Sequence, residues 1–185
     1  MSRWYQRNPE FGLIFEENEN ITGMCIAIPL NKIGWKKLTS GELSEGDLDS
    51  NTIFDNNRDS EVGIHIYHIE KFNFSGKIHE FSLDYLSNII NSLKNNNPSL
   101  SVIGFSALCV TTDGIKLFYN KLNFRERDFI NTEHIIRKNG NIEVIDSDSQ
   151  LDIINKMNDG YEYVTRCKML VSLPGEISIV WSYFK

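Results

Sequence analysis

Tyr119 stands in the stretch "IKLFYNKLNFRE", and Glu70 and His68 share the stretch "EVGIHIYHIEKF". These are side chains of types that give or take protons. A phenol, with a pKa near 10, is protonated at neutral pH, whereas a carboxylate or a neutral imidazole accepts a proton there. Tyr119 poses the sharper question, since it falls among Ile115, Phe118 and Leu122, where a helix buries its apolar stripe. Either it packs there as one more aromatic or its hydroxyl does chemistry. Glu70 has a plain alternative too, as a solvent-facing or lysine-paired carboxylate. His65, His79 and His134 read as surface or core residues, with no spacing suited to a metal.

The elements that must position these residues follow from periodicity. "FGLIFEE" (11–17) and "TGMCIAIPL" (22–30) are apolar runs joined by a polar turn, the pattern of an antiparallel hairpin. Pro29 is expected to end the second strand, because it cannot donate to a ladder. Residues 61–72 set Val62, Ile64 and Ile66 against His65, Tyr67 and Ile69, so both faces carry bulk and a central strand is predicted. After the loop "NFSGKIHEF", Ser82 is the expected N-cap of an amphipathic helix whose stripe is Leu83, Leu86, Ile89, Ile90 and Leu93.

"LSVIGFSALCV" (100–110) is a nearly continuous apolar strand, and Thr112 or Asp113 is expected to cap the helix that holds Tyr119. Asn123 occupies the left-handed slot after that helix. A strand, helix and strand in this order form a parallel pair with a right-handed crossover. The last third reads as a hairpin at "KNGN", a helix over "SQLDIINKM", and two strands, "YEYVTRCKMLVSL" and "EISIVWSYF". The expected fold class is α/β, a mixed and mostly antiparallel twisted sheet with a central parallel βαβ unit.

At 185 residues and 41% hydrophobic, the chain suits one well-buried core, so residues 1–185 are read as one domain. Lys and Arg number 19 against 25 Asp and Glu, and the resulting net charge of -6 disfavours nucleic acid or an anionic membrane as partner. No apolar run approaches the ~20 residues of a membrane span, and the start "MSRWYQRNPE" lacks a signal peptide's apolar middle, so a cytoplasmic location is expected. Cys25, Cys109 and Cys167 are far apart in apolar settings and read as buried free thiols. Abundant Asn, Ile and Lys, as in "KNNN", suit a low-GC bacterial or phage gene product.

Over roughly residues 10 to 126 the chain resembles the GCN5-related N-acetyltransferase superfamily. The hairpin ending in "IAIPL" is similar to that family's second and third strands, and "YHIEKF" to its fourth, where a glutamate often lies. A loop running into a helix follows, and "LFYNKLNF" is similar to the family's "lYxKxGF" ending. The resemblance implies acetyl transfer from acetyl-CoA, as co-substrate, to an amine acceptor.

It also implies that the fourth and fifth strands splay, so that pantetheine lies between them like an extra strand and the backbone of Ile69, Lys71 and Phe72 polarises the thioester carbonyl. Gly76, Lys77 and Ser82 fall where the family holds the pyrophosphate, and Thr112 where it contacts the pantetheine arm. Glu70 becomes the candidate base, acting through water, with His68 as its substitute, and Tyr119 the candidate acid for the departing thiolate. The alternative is a degenerate member that binds a ligand or partner without turnover, which a phosphate loop with Gly76 as its one glycine would suit. The acceptor and the oligomeric state stay open, a homodimer included.

The connection from Asn31 to Ser60 reads as long and acidic, with at most a short helix around Trp35. Between Gly41 and Glu61, the acids Glu42, Glu45, Asp47, Asp49, Asp55, Asp59 and Glu61 are opposed only by Arg58. They suit a solvated loop or, more sharply, a pocket wall whose field draws in a cationic amine.

Overall fold

The computed structural model describes residues 12–71, 78–126, 133–146, 150–176 and 179–182. The chain is α/β, with a mixed, mostly antiparallel six-stranded sheet. Strands β1 (Gly12–Glu17) and β2 (Asn20–Asn31) form the expected hairpin, and β2 pairs antiparallel with β3 (Glu61–Lys71). Strand β4 (Ser101–Cys109) runs parallel to β3, the two linked by a helix, α2 (Ile78–Asn96). The sheet is completed by β9 (Lys168–Ser172), which inserts between β4 and β5 (Arg125–Glu126) and is antiparallel to both.

Helix α2 covers one face of the sheet. Its stripe of Leu83, Leu86, Ile89, Ile90 and Leu93 is buried as the periodicity predicts, against Phe15, Ala27, Val62, Ile64, Ile66 and Phe105. Ser82 is not the N-cap. It lies inside the helix, buried beside the Cys25 side chain, because the helix already runs from Ile78. All three cysteines are buried and free, and burial pushes the Cys25 and Cys109 thiols up to about 12.

Pro29 does not end its strand either: β2 continues to Asn31, with Pro29 opposite Ile64. Strand β1 pairs with β2 only as far as Ile26, so the edge that Pro29 turns away from β3 has no β1 ladder to break. Its carbonyl accepts from the Phe54 N–H at 3.0 Å on that side.

The acidic connection is a second layer. Its helix α1 (Lys32–Ser40) is capped by the Asn31 side chain and closed by Gly41 at φ 80. Trp35, Leu38, Leu48 and Ile53 are buried with Ile28, Leu30, Met169 and Val171 on the sheet face opposite α2. Gly63 and Gly104 are register partners on β3 and β4, and the Trp35 indole lies over both, where an added Cβ would strike its ring carbons. Two side-chain-free positions side by side make the groove that seats the largest residue of this layer.

The helix holding Tyr119 is α3 (Thr112–Ile115), which continues as a π-helix over Lys116–Lys121 and ends with Asn123 at φ 60 as expected. Its cap is Thr111, whose hydroxyl accepts from the Gly114 N–H at 3.0 Å, rather than Thr112 or Asp113.

Strands β6 (Glu133–Lys138) and β7 (Asn141–Asp146) form the expected hairpin, turning through Asn139 and Gly140, both at positive φ. Helix α4 (Gln150–Asn158) follows, and β8 (Glu162–Arg166) joins β6 and β7 in a separate three-stranded sheet. The predicted strand over "YEYVTRCKMLVSL" is thus divided at Cys167 between two sheets. The predicted last strand is in part a helix, α5 (Ile179–Ser182), whose Trp181 packs edge-on to Phe105 and donates to Ser172 Oγ at 2.9 Å. Short apolar runs carry no period that separates strand from helix.

Because Trp35 needs the glycine pair, Gly63→Ala should destabilise the protein by about 1–3 kcal/mol through overpacking. A urea denaturation midpoint equal to that of wild type would show that the indole moves aside freely.

Candidate functional site

Strand β3 carries one residue more than its partner can match. Ile66 pairs with Ala27 and His68 with Ile26, which leaves Tyr67 as the extra residue of a bulge. The parallel ladder between β3 and β4 ends at His65 and Ser106, just before that bulge, although both strands run on. A bulged strand bends and twists more strongly, and here the bend coincides with the parting of β3 from β4.

The parted strands enclose a cleft of about 400 Å³. Its walls are Ile66 to Lys71 on one side and Ala107 to Thr111 on the other, closed by Asp113, Gly114, Leu117 and Phe118 of the capped helix.

The bulge also decides which way the proton-transfer candidates face. Strict alternation would put Glu70 on the side of Val62, Ile64 and Ile66, under α2. Instead Ile69 packs on that side, against the sequence expectation, while Tyr67 packs on the Trp35 side and Glu70 pairs across the sheet with Met24. His68 Nε2 lies 2.9 Å from Glu70 Oε2, so the carboxylate can orient the imidazole. Both side chains are open to solvent, at 40% for His68 and 47% for Glu70.

Where the ladder between β3 and β4 ends lies a buried polar chain that the spacing of residues did not suggest. The Trp35 indole N–H donates to Ser106 Oγ at 3.1 Å, and Ser106 Oγ is 3.0 Å from His65 Nδ1. His65 Nε2 is 2.6 Å from Glu45 Oε1. An indole N–H only donates and a carboxylate only accepts, so the order for a neutral imidazole is fixed: Trp35 to Ser106, Ser106 to His65, His65 to Glu45. The serine, histidine and carboxylate follow the order of a hydrolytic triad, yet Ser106 is fully buried and the cleft lining begins at Ala107. The chain is a clasp that joins α1, β3, β4 and the acidic connection at the point where the strands part. A polar residue inside an otherwise apolar strand, as Ser106 is in "VIGFSALC", was the signal for it.

Among the expected cofactor contacts, Ile69 and Lys71 line the cleft beside Glu70. Thr112 is exposed in the first turn of α3, and its neighbours Thr111 and Asp113 line the cleft in its place. Phe72, Gly76 and Lys77 lie outside the described residues. Tyr119 is 45% exposed and is not among the lining residues, though Phe118 before it is. The π turn rotates it out of the stripe that Phe118 and Leu122 bury, so packing in the core does not explain it. Its ring lies 5.4 Å from the Arg125 guanidinium. Cys109 also lines the cleft, but burial and its raised thiol pKa make it a poor nucleophile.

Each of the seven carboxylates from Glu42 to Glu61 has a hydrogen-bond partner, Glu45 in His65 and the others as follows. Asp49 accepts from the Asn51 and Thr52 N–H groups at 2.9 and 3.1 Å, and the first of these holds its carboxyl below the usual range. Glu42 accepts from Ser40, Asp47 from Ser44, Asp55 from the Asn57 N–H, Asp59 from Arg58, and Glu61 from Lys32. A second depression of about 410 Å³ is lined by Lys32, Arg58, Asp59 and Glu61, whose charges pair there at 2.7 and 3.1 Å.

Among the described residues no group of His, Cys, Asp and Glu converges as a metal site would need, and no helix is long and apolar enough to cross a membrane. Compared with models of known protein families, the chain matches none, and no curated protein matches it.

Ser106→Ala should cost about 1–3 kcal/mol, because it strips both Trp35 and His65 of a buried partner. An unchanged thermal midpoint would mean that water replaces the hydroxyl and that the clasp contributes little.

Proposed function

We propose that the protein is a coenzyme A-dependent N-acyltransferase that moves an acetyl group from acetyl-CoA to an amine by direct attack. The observation that carries this reading is the cleft opened where the parallel strands β3 and β4 part after His65 and Ser106. A ligand whose arm bears amide groups, as pantetheine does, can lie between the parted strands and pair with main chain there. Ile69 and Lys71 are the proposed contacts on β3, with main-chain N–H groups near them polarising the thioester carbonyl. Gly76 and Lys77 remain the proposed phosphate contacts.

In the proposed reaction the amine nitrogen attacks the carbonyl carbon, and the carbon–sulfur bond breaks as the tetrahedral intermediate collapses. An alkyl ammonium, with a pKa near 10, must first lose a proton, which passes through water to Glu70 or to its partner His68. Tyr119, one residue on from the cleft-lining Phe118, is the proposed donor to the departing thiolate. Acyl transfer through Cys109 is not part of the proposal, since its thiol is pushed up to about 12.

A second reading, binding of the same thioester without turnover, is favoured by one observation: Tyr119 stands outside the cleft lining.

Release of coenzyme A thiol from acetyl-CoA, followed with a thiol-reactive dye over a panel of amines, tests the proposal. Tyr119→Phe and Glu70→Gln should each keep acetyl-CoA affinity and lower turnover by on the order of 10²-fold. Tight acetyl-CoA binding with no thiol release for any amine would favour the binder, and no binding at all would contradict both readings.

A further inference from the structure

The cleft opens onto a sheet face that carries a carboxylate at each end. Across β1, β2 and β3, Ile14 pairs with Met24 and Met24 with Glu70, so these three side chains form one row. In the row on one side of it Ile26 pairs with His68, and in the row on the other Ile21 pairs with Glu16. Phe15 packs in the core under α2, so its neighbours Ile14 and Glu16 both project from the opposite face. Lys71, the one lysine or arginine of the three strands, shares the row of Gly23 and Phe15 on the α2 side. The layer of α1 and the connection packs over Ile28, Leu30 and part of Ile26 and leaves Ile14 and Ile21 59% and 58% exposed. Glu16 is exposed as well and makes no ion pair among the described residues. Glu70 lines the cleft, and strand spacing puts Glu16 about 12 Å from it, two strands over and two residues along.

Resting on the acyltransferase reading, we propose that this face is the acceptor site and that the acceptor is an α,ω-diamine, with Glu16 as its specificity-determining residue. One ammonium pairs with Glu70 and the other with Glu16, while the methylene chain between them lies over Met24, Ile14 and Ile21. The nitrogen at Glu70 gives its proton to Glu70 or His68 and forms the carbon–nitrogen bond as the carbon–sulfur bond breaks. The thiolate takes its proton from Tyr119, and the ammonium at Glu16 keeps its charge throughout. A carboxylate at each end with apolar side chains between them matches a chain charged at both ends, whereas a monoamine leaves Glu16 without a partner. Both carboxylates are open to water, so the second ion pair adds a preference rather than an absolute discrimination. Acetylation makes the nitrogen at Glu70 a neutral amide, so the product keeps one ion pair of the two.

1,6-Diaminohexane and hexylamine, equal in chain length and different at one end, form the matched pair that tests this. Methyl NMR titration at low ionic strength reads binding directly, whether or not acetyl transfer follows. The diamine should bind about two- to fivefold more tightly than hexylamine, the worth of one exposed ion pair, and shift the methyl signals of Ile14, Ile21 and Met24. Glu16→Gln, at an exposed edge position, should erase that preference, and added salt should shrink it in the wild type. Equal or tighter binding of hexylamine by the wild type, a preference that survives Glu16→Gln, or shifts elsewhere than on these methyls overturns the diamine proposal. Absence of coenzyme A thiol release with both amines counts against the transferase reading instead, while the methyl shifts and the effect of Glu16→Gln still decide where the diamine sits.

Discussion

A single surplus residue in β3 sets most of what is distinctive in this molecule. Tyr67 is the extra residue where the register of β3 on β2 shifts, and the ladder to β4 stops just before it. Bending one strand of a parallel pair away from the other opens a gap that neither strand can close, because each is held on its far side: β3 by β2, β4 by β9. The same surplus residue inverts the alternation beyond it. His68 and Glu70 turn towards the open face, and Ile69 takes the place under α2 that a regular strand would have given to a charged or polar side chain. Had β3 been regular, Glu70 would have been driven against the α2 side of the sheet, where burying a carboxylate is costly.

The gap needs a firm edge, and the layer formed by the acidic connection supplies one. Trp35 seats over the Gly63 and Gly104 pair and donates to Ser106, so the last paired residues before the gap are packed from above and hydrogen-bonded from the side. Glu45 ties the connection to His65 in the same chain of hydrogen bonds. Buried polar chains of this kind are favourable only when each member is satisfied. The order of donors and acceptors from indole to carboxylate meets that condition.

Much of the sheet was legible because its signals are periodic. The first hairpin, the central strand, the stripe of α2 and the positive-φ slot at Asn123 follow from apolar spacing and turn chemistry, which act locally. The misread features depend on partners distant in sequence. A bulge is invisible in β3 alone, since it exists only relative to the residues of β2, and so the facing of Ile69 and Glu70 could not be read from alternation. Pro29 continues a strand because β1 ends early, Ser82 is interior because α2 begins before it, and Tyr119 is exposed because the helix widens to a π turn. The seven acidic residues from Glu42 to Glu61 read as charge alone, and the hydrogen bonds that each also makes depend on how the connection folds.

Amide hydrogen exchange with and without acetyl-CoA tests the central claim, that the cleft between β3 and β4 holds a coenzyme A thioester. The account predicts slowed exchange at residues 66–71 and 107–111 and at the proposed phosphate contacts Gly76 and Lys77, with β1 and the second depression beside Lys32 and Arg58 unchanged. Unaltered exchange along the parted strands at saturating acetyl-CoA, or protection centred on that second depression, would contradict it.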